Sequence, residues 1–103
     1  MRYEIILAPE ANEDLKRLEA RVRKAVKEGI EKHLRHEPAR LSKSRIKRLR
    51  GLRRPQYRLR IGEVRIFYDV AEGRYRFLAV IPKSQATDWL KEVGEPHEDS
   101  TTI

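Results

Sequence analysis

Arg58, Arg60 and Arg65 stand at alternating positions on either side of a Gly62-Glu63 pair. A guanidinium is a permanently charged planar fork that matches a phosphate or carboxylate with paired hydrogen bonds. Several held in a fixed geometry can bind an anion, or stabilise the charge that develops on a reacting phosphoryl group. More cations precede them at Lys43, Arg45, Lys47, Arg48, Arg50, Arg53 and Arg54. From Arg40 to Arg65, eleven Lys or Arg face one acid, Glu63; that stretch carries +10 in a chain of net charge +8, and the remainder sums to −2. A field this local draws phosphates, an acidic protein or both. A merely solvated face is the plainer alternative, but the density and single sign of the run favour binding.

Other chemistries find little support. The chain has no cysteine, which removes disulfides, thiolate metal ligands and a cysteine nucleophile. His33 and His36 are three apart with Glu37 beside them, a spacing that could meet a metal but lacks a further ligand cluster, and His97 lies far off near the end. Glycine-rich phosphate loops and Ser-His-Asp arrangements are absent, and no metal or cofactor is expected. No window approaches the roughly 18 apolar residues of a membrane span, and Met1-Arg2-Tyr3-Glu4 leads straight into a strand-like stretch, so a cytoplasmic protein without a signal peptide is expected.

The arginines need a scaffold, and 103 residues suffice for one domain. Tyr3 to Leu7 reads as a strand. Pro9 suits a first helical turn, with Glu10, Glu13 and Asp14 near the positive end of the dipole. Apolar residues at 11, 15, 18, 22, 25/26, 30 and 34 follow a helical period. One long helix, or a hairpin of two broken near Glu19–Arg21, fits that spacing equally, and Pro38 ends it. Residues 39–55 show little periodicity. Gln56–Ile61, Val64–Val70 and Arg74–Ile81 then read as three strands joined by tight turns at Gly62-Glu63 and Glu72-Gly73. Pro82 stops the last, and Gln85–Val93 reads as a helix presenting Ala86, Trp89, Leu90 and Val93. The fold class is α+β: a small antiparallel sheet in the order β-α-α-β-β-β-α, packed on an N-terminal helical hairpin. Residues 1–93 form the domain, and 94–103 an acidic, disordered tail.

The turns define a register. A loop at 62–63 pairs Ile61 with Val64, Arg60 with Arg65, Leu59 with Ile66 and Arg58 with Phe67. A loop at 72–73 pairs Asp69 with Arg76, Phe67 with Leu78 and Arg65 with Val80. Tyr57, Leu59, Ile61, Val64, Ile66, Tyr68, Val70, Tyr75, Phe77, Ala79 and Ile81 then form the core face. Arg58, Arg60, Arg65 and Phe67 occupy the centre of the other, open face, with Leu78 and Val80 alongside. Like charges opposed across a strand pair destabilise a sheet, which a bound anion would relieve. The Phe67 ring would add a stacking surface for a base.

Leu49-Arg50-Gly51, Tyr57-Arg58-Leu59-Arg60, Val64-Arg65-Ile66-Phe67-Tyr68 and the apolar strand to Ile81 resemble the RelE/ParE superfamily of type II toxin–antitoxin toxins. The resemblance runs from Tyr3 to about Leu90. It implies a small sheet wrapped by helices and a cognate antitoxin, acidic and partly disordered, through which alone the toxin meets operator DNA. In its RelE-like branch it implies a metal-independent endoribonuclease, an mRNA interferase that inhibits translation at the ribosome. There the substrate's 2′-OH attacks the adjacent phosphate while cations stabilise the charge. Matched by position, that site falls on Arg50, Arg58, Arg60 and Arg65, with Lys83 near the position of a further arginine. Lys43, Arg45, Lys47, Arg48, Arg53, Arg54 and Phe67 would bind RNA. The match departs at the end: Ser84 stands about where that arginine is expected, and no tyrosine follows Tyr75, Trp89 or Leu90 taking its place. A ParE-like gyrase inhibitor without chemistry, or a relic that binds only its antitoxin, are the alternatives this departure leaves open.

Overall fold

The computed structural model describes residues 3–35 and 45–96. In chain order the elements are β1 (Glu4–Leu7), α1 (Pro9–Arg17), α2 (Ala20–Leu34), β2 (Ile46–Arg48), β3 (Leu52–Arg54), β4 (Tyr57–Ile61), β5 (Val64–Ala71), β6 (Arg74–Pro82), α3 (Lys83–Val93) and β7 (Glu95–Pro96). Among the described residues the main sheet has five strands in the order β1-β6-β5-β4-β2, and β3 pairs with β7 in a second, two-stranded sheet. The α+β architecture stands as expected, with two amendments. The main sheet is mixed, because β1 joins β6 in parallel. The stretch that lacks periodicity holds the short strands β2 and β3, each three residues long and too brief for alternation to show.

Between the helical alternatives the structure decides for two. Leu18 and Glu19 take extended backbone (ψ 144° at both), separating α1 from α2 slightly before the expected break. Arg23 closes the gap by donating to the carbonyls of Lys16 and Leu18 at 3.3 Å. Asp14 accepts the Val80 N–H at 3.1 Å and ties α1 to β6. Ala11, Leu15, Val26, Ile30 and Leu34 pack with Leu59, Ile66, Tyr68, Tyr75 and Phe77 in the main core. That confirms the helical stripe as a core stripe.

The 62–63 hairpin has the expected register from Ile61↔Val64 to Arg58↔Phe67. Its turn places Gly62 at φ +56°, a left-handed backbone that glycine adopts without steric cost. The 72–73 hairpin starts as expected, with Asp69 opposite Arg76, and then shifts. Leu78 is an extra residue on β6, so Phe67 faces Ala79 and Arg65 faces Ile81. A bulge of this kind reverses the alternation beyond it. Ala79 and Ile81, expected in the main core, lie instead with Phe67 on the opposite face, and Val80 takes their place in the core.

One further expectation is amended. Glu95 and Pro96 are not disordered but paired with Arg54 and Leu52; residues 97–103, the rest of the expected tail, lie outside the described residues. So do Pro38, His36 and Lys43.

Candidate functional site

Strand alternation and pairing assemble the cations. Lys47 of β2 lies opposite Arg58 of β4, which lies opposite Phe67 of β5; Arg60 lies opposite Arg65. The intervening Ile46, Leu59 and Ile66 point into the main core, so the cations occupy the other face. Arg45, just before β2, joins the Arg60 row: the Arg60 N–H donates to its carbonyl at 2.8 Å, and its Nη1 donates to the Arg60 carbonyl at 3.3 Å. Two rows result, Arg45–Arg60–Arg65 and Lys47–Arg58, spread over three adjacent strands.

Their environments differ. Lys47 is exposed, while Arg45, Arg58 and Arg60 are half-buried. Arg65 is 8% exposed, and its Nη1 donates to the carbonyls of Gly62 (2.9 Å) and Val64 (3.2 Å), which anchor it beside the turn. Arg58 donates from Nη2 to the Arg45 carbonyl at 3.4 Å. Burial, then the charges of Arg65 and Arg60, push its pKa below the ordinary arginine value. A group whose charged form is disfavoured this way gains the most from an arriving anion.

α3 occupies the rest of this face. Ala86, Trp89 and Leu90 pack on Phe67, Ala79 and Ile81, joined by Leu49. Trp89 stacks on Phe67 with centroids 4.9 Å apart and planes 16° off parallel. Phe67, expected as an open stacking surface, is 1% exposed and therefore a core residue of this second cluster. The apolar spacing of Ala86, Trp89 and Leu90 was the signal that a helix covers it.

The remaining cations disperse. Lys83 opens α3, exposed, and its N–H donates to the Glu63 carbonyl at 2.7 Å, which brings it to the same end of the sheet as Arg60 and Arg65. Arg50 is exposed in the turn between β2 and β3. Arg48 lies on the core side, its guanidinium 5.2 Å from the Tyr57 ring centroid. Arg53 pairs with Glu95 at 3.6 Å and Arg54 with Asp69 at 3.2 Å, both toward the far end of β4. The structure thus gathers Arg58, Arg60 and Arg65 with Arg45 and Lys47, and does not bring Arg48, Arg53 or Arg54 to them.

Proton-transfer groups are scarce around this cluster. Tyr68 and Tyr75 are fully buried in the main core, where desolvation pushes both phenols well above the ordinary tyrosine value. Trp89 cannot exchange a proton in this range. His33, set aside in the sequence as a metal ligand, is half-buried, and its pKa is lowered by burial first and then by Arg45 and Lys32. Among the described residues no group of three or more His, Cys, Asp or Glu could hold a metal. No helix among them is long and apolar enough to cross a membrane.

A parallel N-terminal strand, two helices on one face, and an arginine cluster beside a short C-terminal helix on the other define a small two-faced α+β domain. The structure matches a chain of the toxin–antitoxin complex RelBE2 from Mycobacterium tuberculosis, with TM-score 0.65 and 26% identity over 80% of this chain and 99% of that one. It also matches a chain of the RelB–RelE antitoxin–toxin complex from Methanococcus jannaschii, with TM-score 0.63 and 26% identity over 82% and 96%. No curated protein matches. The family model for the ParE toxin of the type II toxin–antitoxin system parDE matches residues 5–87. The chain belongs to that family, within the RelE/ParE superfamily, and is a type II toxin–antitoxin toxin.

Proposed function

We propose that this toxin acts as a ribosome-dependent mRNA endoribonuclease in the cytoplasm, held in check by an acidic, partly disordered antitoxin. The observation that carries the reading is Arg60 opposed to Arg65 across β4–β5, with Arg45 in the same row and Arg58 and Lys47 in the next. Such crowding destabilises a sheet by about 0.2–1 kcal/mol per like-charged pair, and a phosphate between the rows reverses the sign of that interaction. Arg58 and Arg60, with Lys83 at the turn end, hold the non-bridging oxygens of the scissile phosphate; Arg65, fixed by two carbonyls, aligns the row. The substrate's 2′-oxygen attacks phosphorus, the 5′-oxygen leaves, and the 2′-hydroxyl restricts the reaction to RNA. Solvent carries both protons, so cleavage lacks the roughly 10²–10⁴-fold that a positioned acid or base adds.

A second reading, gyrase inhibition without chemistry, draws on the ParE family match and on the Phe67–Trp89 stack. That stack closes the face where a base would lie. Purified toxin in a cell-free translation system separates the two. Ribosome-dependent mRNA cleavage that is lost in Arg60→Ala is expected. Intact mRNA together with inhibition of gyrase supercoiling would decide for the second reading.

A further inference from the structure

Phe67 stands at the end of a row of cations. It is directly opposite Arg58, which is directly opposite Lys47, and such partners lie about 4.5–5.5 Å apart at their Cα atoms. A nucleotide whose phosphate rests on this row has its base within reach of the Phe67 ring. Sites for single-stranded nucleic acid are built from these two parts, a cationic track and an aromatic platform. In the free protein the platform is taken. Phe67 is 1% exposed, and Trp89 lies on it with centroids 4.9 Å apart and planes 16° off parallel. That is the geometry of a stacked pair, so the indole holds the position that a stacked base would occupy.

The element that carries the indole is loosely held. No residue of α3 is fully buried. Its first residue follows directly on β6, and the Lys83 N–H donates to the Glu63 carbonyl there. Its far end is tied by β7, two residues whose pairing with β3 is irregular. Glu95 adds a contact to Arg53 at 3.6 Å, each side chain about half exposed, which contributes little. Beside the indole, Pro55, Leu78 and Val93 line a hollow of about 250 Å³. The ring can therefore leave Phe67 without displacing a residue of the main core. Ala79 and Ile81, which share the cluster with Phe67, belong to the sheet and stay in place.

We infer that Phe67, flanked by Ala79 and Ile81, is a nucleobase site, and that Trp89 fills it until a single strand binds. The inference rests on the nuclease reading, because the arginine rows must hold the phosphates of that strand. One flat ring replaces another on the same platform, so the net change in stacking is small and the exchange is reversible. Trp89 is then both the anchor of α3 and a competitor of the substrate. The cluster around Phe67 is apolar throughout, with Leu49, Ala86 and Leu90 completing it. It offers a base a stacking surface and no hydrogen-bond partner, so it accepts any base rather than reading one.

The test uses the full chain and a fluorescein-labelled, 2′-O-methylated oligouridylate, which lacks the attacking hydroxyl and is bound without being cut. An abasic strand of equal length, with the same phosphates and no bases, is the control. By fluorescence polarisation, Trp89→Ala should bind the oligouridylate about tenfold more tightly, within what one base–aromatic stack contributes. Adding Phe67→Leu should abolish that gain, and the abasic strand should bind both variants and the unsubstituted protein alike. Trp89 is the single tryptophan of the chain. Its emission should move to longer wavelength as unlabelled oligouridylate saturates the unsubstituted protein. Thermal unfolding confirms that the variants fold; should Trp89→Ala fail to fold, the emission of the unsubstituted protein decides. Unchanged or weaker binding by folded Trp89→Ala, an equal gain with the abasic strand, or emission that stays fixed at saturation would each overturn the inference and leave the nuclease reading standing. Arg60→Ala should weaken binding of both strands; undiminished binding there would overturn the nuclease reading and the inference with it.

Discussion

Two guanidiniums opposed across a strand pair work against the fold that holds them, and that conflict is the clearest functional signal at the scale of single residues. Arg60 is half-buried and contributes its side chain to the basic face, whereas Arg65 is nearly buried and braced by the carbonyls of Gly62 and Val64. Arg60→Ala is therefore the cleaner probe. Removing it should leave stability unchanged or raise it by a few tenths of a kcal/mol, measured by urea denaturation. The same substitution should lower mRNA cleavage by about 10²–10³-fold, the usual effect of deleting one donor to a developing anion. Opposite signs in the two measurements separate a functional arginine from one that only shields the sheet. The pairing of Arg58, Arg60 and Arg65 was readable from the sequence, because a Gly-first two-residue turn defines register and register defines face. The burial of Phe67 was not, because Trp89 lies well beyond it in the chain and covers it only once α3 packs on the sheet.

At the scale of elements, the extra residue at Leu78 matters most. Beyond it β6 presents Ala79 and Ile81 to α3 and Val80 to the main core, so one strand serves two apolar clusters. Phe77 to Ile81 is apolar throughout, and an unbroken apolar run fits either register, so alternation could not reveal the shift. Asp14 meets the backbone of this segment at Val80. Asp14→Ala should cost about 1–3 kcal/mol, the usual result of stranding a buried N–H, and a urea titration reads it directly. Trp89 holds α3 down through its stack on Phe67. Full burial would make Trp→Ala cost about 3–5 kcal/mol; Trp89 is half-buried, and a loss of about half that is expected. Hydrogen exchange should then show amides of α3 opening ahead of those of β4 and β5, since α3 has no fully buried residue of its own. Equal protection across all three elements would show that α3 is held by other contacts.

At the scale of the whole molecule, a basic run of +10 becomes separate surfaces. One gathers Arg45, Lys47, Arg58, Arg60 and Arg65; another, beyond α3, joins Arg53 and Arg54 of the run to Arg74 and Arg76 outside it. If the first grips single-stranded RNA through about three to five phosphates, log K should fall against log salt with a slope of roughly −2 to −3.5. Arg58→Ala should make that slope shallower by about 0.7, while Arg74→Ala should leave it unchanged. From its sequence alone the chain was determined to be a basic α+β domain with a core-facing helical stripe, a tight 62–63 turn and arginines in register across it. These follow from charge, helical period and turn chemistry, which act between near neighbours. Tertiary structure alone decided the parallel partner of β1, the shift at Leu78, the closure of Phe67 beneath Trp89 and the division of the arginines by α3. Each depends on which distant segments compete for the same face, and packing between segments leaves no period in the sequence.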